Sequence, residues 1–113
     1  MRVLVVDSGI MIPKVVELSL RGADVSSVKS LQEAKAAIAA QRPDIVIASI
    51  ALPDGDAYDL CKSAQCGVIL LRGASEPFDE QKARNAGAHE ILGKPFNPAD
   101  LLSAVERVSA RRR

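Results

Sequence analysis

The sequence has little of what marks several functional classes. Its 113 residues include two cysteines, Cys61 and Cys66, and one histidine, His89. Two cysteines make neither a disulfide framework nor a complete zinc site. They fit the reduced thiols of a cytoplasmic protein, and their spacing is wider than that of a redox pair. The formal net charge is +1, so there is no domain-wide basic field for nucleic acid. No apolar run approaches the roughly 20 residues needed to cross a bilayer. The start, Met1-Arg2-Val3-Leu4-Val5-Val6-Asp7, turns polar too soon for a signal peptide and reads as a buried strand. Ser8-Gly9 lacks the further glycines of a phosphate loop. The sequence offers no nucleophile–base pair, metal cluster or cofactor loop, which argues against an enzyme in the usual sense. It has no repeat, low-complexity tract or internal linker.

What remains is an ordinary globular balance, 48% apolar and 26% charged, in a chain long enough for one core. Val3 to Val6 fits a strand covered on both faces. Ile10, Met11, Val15, Val16, Leu18 and Leu20 recur at helical spacing; Pro13 lies in that helix's first turn, and Gly22 can stop it. Asp24 to Val28 is a weaker strand. Ser30-Leu31-Gln32-Glu33 is a capping box opening an alanine-rich helix to about Arg42, where Pro43 blocks it. Ile45 to Ala48 is a second buried strand, and Leu52 to Asp56 reads as a turn or loop. A helix from about Ala57 to Ala64, a strand over Val68 to Leu71, a helix over Phe78 to Ala86 ending at Gly87, and a brief strand over Glu90 to Leu92 follow. Asn97-Pro98-Ala99-Asp100 starts the last helix with a cap, a first-turn proline and an acid at the positive end. Its apolar stripe is Leu101, Leu102, Val105 and Val108.

About five β–α units in strict alternation predict an α/β fold with a parallel sheet and helices on both faces. Residues 1–113 form a single domain, and 107–113 can begin a linker or tail. In such sheets sites form at the carboxyl ends of the strands. Those ends are Asp7-Ser8, Ser49, Arg72-Gly73 and Gly93-Lys94.

Val3–Asp7, the run Pro43-Asp44-Ile45-Val46-Ile47-Ala48-Ser49-Ile50-Ala51-Leu52-Pro53-Asp54-Gly55, Gly87-Ala88 and Lys94-Pro95-Phe96 together resemble the receiver domain of two-component response regulators. The resemblance covers essentially the whole chain. It implies a doubly wound, flavodoxin-like (βα)5 fold with strand order 2-1-3-4-5. It also implies a pocket in which two first-strand acids hold magnesium and an aspartate ending the third strand accepts a phosphoryl group. A Thr or Ser ending the fourth strand and a lysine ending the fifth bind that group, and an aromatic residue on the fifth strand changes rotamer. Asp7 matches one first-strand acid, and Lys94 matches the lysine, followed by Pro95, which is often cis in the family. Ser8 stands in place of the second acid, Ser49 in place of the phosphoacceptor, Arg72 in place of the Thr or Ser, and Ile91 at the switch position.

Those departures predict a degenerate pseudo-receiver. Magnesium seeks carboxylates, phosphate and water; with Asp7 as a weak residual candidate ligand, no metal cofactor is expected. A serine hydroxyl needs an adjacent base to act as a nucleophile, and a carboxylate such as Asp7 is a poor one. Arg72 adds a permanent cation and is expected to pair with Asp7; Lys94 could do the same. Asp54 and Asp56 lie in the loop beyond the strand, too far out to replace the acceptor. His89 reads as a solvated loop residue and the basic end as a solvated face. The expected role is a phosphorylation-independent protein–protein interaction module in a signalling pathway. Its partners are other proteins or a fused output domain, with self-association through the fourth helix, fifth strand and last helix, and neither nucleic acid nor membrane. The alternatives are an anion or small ligand acting at Arg72 and Lys94, or phosphorylation at an atypical residue.

Overall fold

The computed structural model describes residues 1–63, 66–73 and 79–111. Five strands form one parallel sheet: β1 (Arg2–Val6), β2 (Asp24–Val28), β3 (Ile45–Ser49), β6 (Gly67–Arg72) and β7 (Glu90–Gly93), in the order β2-β1-β3-β6-β7. This is the expected doubly wound arrangement. Between Leu52 and Asp56, where a turn or loop is expected, the chain makes a tight two-stranded hairpin. Its strands are β4 (Ala51–Leu52) and β5 (Gly55–Asp56), and Pro53-Asp54 supply the turn.

Because side chains alternate along a strand, the central strands feed two separate cores. Leu4, Val6, Val46, Ala48, Val68 and Leu70 face one side. There they meet α2 (Leu31–Gln41), α3 (Tyr58–Ser63) and α4 (Glu80–Ala86) through Leu31, Ala34, Leu60 and Ala83. Val3, Val5, Ile45, Ile47, Ile69 and Leu71 face the other side, against α1 (Met11–Ser19) and α5 (Pro98–Arg111) through Val16, Leu101, Val105 and Val108. Strand β2 has no fully buried residue. It is the sheet edge, which explains its weaker pattern.

The helix ends are specified locally. Asn97 Oδ1 accepts from Asp100 N–H at 2.8 Å, and Asp79 Oδ1 accepts from Lys82 N–H at 2.9 Å. Asp79 therefore caps α4, one residue after the expected start at Phe78, which lies outside the described residues, as does the expected α3 end at Ala64. Gly87, at φ +106°, closes α4 in a left-handed conformation that a side chain would resist. Leu20 rather than Gly22 caps α1; Gly22 turns the chain towards β2. Arg42 caps α2 at φ 47°, where Pro43 disfavours further helix. Helix α5 continues through Arg111 with Val108 buried. The helix thus takes in residues 107–111, and Arg112 and Arg113 lie outside the described residues.

Candidate functional site at the carboxyl edge of the sheet

Strands β1 and β3 pair with Val6 opposite Ala48, so the next residues, Asp7 and Ser49, emerge side by side. Both are buried, at 7% and 2% exposure. They are the two buried polar residues among those described. The Asp7 N–H donates to Val28 O at 3.1 Å, which fixes the backbone there. Ser49 Oγ is enclosed with no hydrogen-bond partner. Ser8 is exposed.

Further along the edge, Arg72 ends β6 opposite Gly93 of β7. Lys94 N–H donates to Arg72 O at 2.8 Å, and the Lys94–Pro95 bond is cis. Arg72 is exposed and Lys94 half-buried. Their expected pairing with Asp7 is not formed. Among the described residues the ion pairs are Arg84–Glu80 at 3.1 Å and Arg107–Glu90 at 2.9 Å. Side chains alternate along a strand: Arg72 is in step with Val68 and Leu70, which face α2–α3–α4, whereas Asp7 is in step with Val3 and Val5, which face α1 and α5. Arg72 and Lys94 instead line a groove of about 780 Å³ between β7 and α4, together with Glu80, Arg84, His89 and Ile91. Ile91 is half-buried and packs on the α2–α3–α4 core.

The donor set does not suit a hard divalent cation. Such ions need several oxygens, carboxylates above all. This corner supplies the Asp7 carboxylate and the hydroxyl of Ser49. Among the described residues no three His, Cys, Asp or Glu side chains converge on a common point.

One residue departs from expectation, and a second takes a role beyond it. His89 is not a solvated loop side chain. Its Nδ1 accepts from Val68 N–H at 3.2 Å and its own N–H donates to Val68 O at 2.9 Å. It thus continues the β6–β7 ladder by one rung with a side chain. Asp54 is the second. Its carboxylate accepts from Leu31 N–H at 2.7 Å and Gln32 N–H at 3.0 Å. Those two bonds hold its pKa below the ordinary carboxylate value. Ser30 Oγ accepts from Glu33 N–H at 3.1 Å and meets Glu33 Oε1 at 3.2 Å. The start of α2 is therefore capped half by its own serine and half by a hairpin 23 residues on. No local signal announces that contact, because its partners are distant in sequence. Asp56 is held locally, accepting from Tyr58 N–H at 3.1 Å. Cys61 and Cys66 are buried thiols, and burial pushes the Cys61 thiol up to about 11.

The family model for the response regulator receiver domain matches residues 3–106. Among curated proteins, the chain is 36% identical over 95 residues to the KDP operon transcriptional regulatory protein KdpE of Escherichia coli K12, covering 80% of this chain and 42% of that one. It is 31% identical over 118 residues to the DNA-binding response regulator MtrA of Mycobacterium tuberculosis H37Rv, covering 99% and 50%. The chain spans about half the length of the curated relatives it matches. Among solved structures, the chemotaxis response regulator CheY4 of Vibrio cholerae superposes with TM-score 0.84 at 28% identity over 95% of this chain and 97% of that one. A CheY-like receiver domain protein of Methanospirillum hungatei superposes with TM-score 0.88 at 26% identity over 98% and 95%. No helix among the described residues is long and apolar enough to cross a membrane.

Proposed function

The chain belongs to the response regulator receiver family, and we propose that within it this domain is a cytoplasmic pseudo-receiver, a protein-interaction module that works without phosphorylation. Ser49 carries the proposal. It stands at the end of β3, where the family resemblance puts the phosphoacceptor aspartate. Its hydroxyl is enclosed and without a partner. A hydroxyl there does not accept a phosphoryl group without a base, and Asp7 is a poor base. With a single carboxylate, magnesium affinity is weak, so the metal that assists phosphoryl transfer is not recruited. Ile91 in place of an aromatic ring removes the moving part, and the α4–β7–α5 face stays in one arrangement. That face carries the Arg84–Glu80 and Arg107–Glu90 pairs. It suits a partner protein or an output domain that docks by charge, by binding and not by catalysis.

The test is an amide NMR titration of the labelled domain with magnesium, then beryllofluoride, which mimics a phosphorylated aspartate. The expected result is no saturable shift at Asp7, Ser49, Arg72 or Lys94. Saturable shifts that spread to Ile91 and α5 would overturn the proposal; phosphorylation at an atypical residue would then be sought first at Asp54 and Asp56.

The shared groove of Arg72 and Lys94 favours a second reading, in which an anion or small ligand switches the domain. Inorganic phosphate added without magnesium separates the two. Shifts confined to the groove support a ligand-switched receiver, and none supports the constitutive module.

A further inference from the structure

Helix α1 carries an apolar stripe that the fold does not cover. Ile10, Met11 and Leu18 are 66%, 69% and 68% exposed. At 100° per residue Met11, Val15 and Leu18 share the outward face, with Val16 turned to the core. Large exposed apolar side chains on the rest of the described surface are Met1 and Leu102. Both lie beside Leu18 in a second groove of about 780 Å³ formed by the C-terminal end of α1 and by α5. A protruding apolar pair thus sits at one end of α1, and an apolar groove lies at the other.

From this arrangement we propose that α1 is a self-association face, on which two copies pack their α1 helices antiparallel about a two-fold axis. The occupant follows from self-complementarity. The helix has nine residues, about 13 Å. Turning a second copy end for end lays its Ile10 and Met11 over the groove of the first, and the reverse contact is made at the same time. This is the isologous geometry of a closed dimer. With the axis midway along α1, Lys14 of each copy stands beside Glu17 of the other. Both are exposed, on the flank of the stripe, and opposite in sign. The helix ends agree. The first turn has no acid, the last turn has no base, and Ile10 makes no side-chain cap. An antiparallel neighbour brings the negative end of one helix to the positive end of the other. A stripe of so few large side chains suits a weak, concentration-dependent dimer rather than a permanent one. The face shares α5 with the α4–β7–α5 surface but uses the side of that helix turned to α1, through Leu102 and Glu106, and does not depend on the fate of the phosphoryl pocket.

Sedimentation velocity over a concentration series up to about 1 mM reads the association, with circular dichroism confirming that each variant is folded. Wild type is expected to move from monomer to dimer across that range. Met11→Lys and Leu18→Lys, both on the surface, should each weaken it at least about tenfold. Lys14→Glu and Glu17→Lys should each weaken it, and the double reversal should restore it. A wild type that stays monomeric at 1 mM overturns the proposal. So does a dimer that survives Met11→Lys, or charge reversals that do not rescue one another; either would place the interface on another face.

Discussion

Replacing Ser49 by alanine tests the carboxyl edge most directly. The hydroxyl is 2% exposed and has no hydrogen-bond partner. A buried polar group without a partner costs about 1–3 kcal/mol relative to one that is satisfied. Alanine keeps the Cβ and the strand while removing the unsatisfied atom. Ser49→Ala should therefore leave the domain as stable as wild type or more so by about 1 kcal/mol, a Tm rise of about 4 °C for a chain of this size. Urea denaturation at pH 7 and a thermal scan both read it. A loss of 1 kcal/mol or more would refute the reasoning, because it would mean that the hydroxyl is hydrogen-bonded in solution. Ser49→Asp completes the series. Strands lie about 4.8 Å apart, so two ionised carboxylates would face each other at roughly 5 Å. At an effective dielectric of about 20 that repulsion is about 3 kcal/mol, before any desolvation. The variant should be destabilised by several kcal/mol without metal and recover with millimolar magnesium, because two carboxylates begin to make a hard-cation site. A Ser49→Asp variant that is neither destabilised nor responsive to magnesium would show that Asp7 and position 49 do not share a pocket.

Asp54 and Cys61 give predictions with opposite pH signs. Asp54 has a folded pKa below its unfolded value because two α2 N–H groups bond the carboxylate. Its contribution is present above about pH 4 and is lost as pH falls through the folded pKa. Asp54→Asn should flatten the acid limb of stability measured by urea titration between pH 2 and 6; an unchanged limb would mean that the hairpin does not hold α2. The Cys61 pKa is raised to about 11 by burial, so its contribution is complete below the unfolded value of about 9 and is lost as pH rises towards 11. In a Cys66→Ala background, Cys61 should react with an aromatic disulfide at pH 8 roughly a hundredfold slower folded than unfolded, following its smaller thiolate fraction. Equal rates would contradict the burial.

The fold was legible because the strands announce themselves twice, by β-branched runs and by the punctuation between them. Val3–Val6, Ile45–Ala48 and Val68–Leu71 all proved central, and two-sided burial is what an unbroken apolar run encodes. The edge strand β2 was weaker in pattern for the same reason, being half covered. Caps written within one turn, Asn97 with Asp100 and Ser30 with Glu33, could also be read. What escaped the sequence depended on neighbours fixed only by folding. Asp54 caps a helix 23 residues away. His89 completes a strand ladder with its ring. Arg72, in step with Leu70, turns to the α4 side of the sheet, opposite to the side of the residues in step with Asp7. That last case bears on function. The sequence lists which residue types end the strands, but their pairing depends on strand order and side-chain direction, which no single-residue comparison supplies. The two cations expected beside Asp7 line a groove facing α4 instead. If this edge has a ligand, the geometry separates a cation-lined groove from a buried acid and hydroxyl, so the two can be tested by independent mutations.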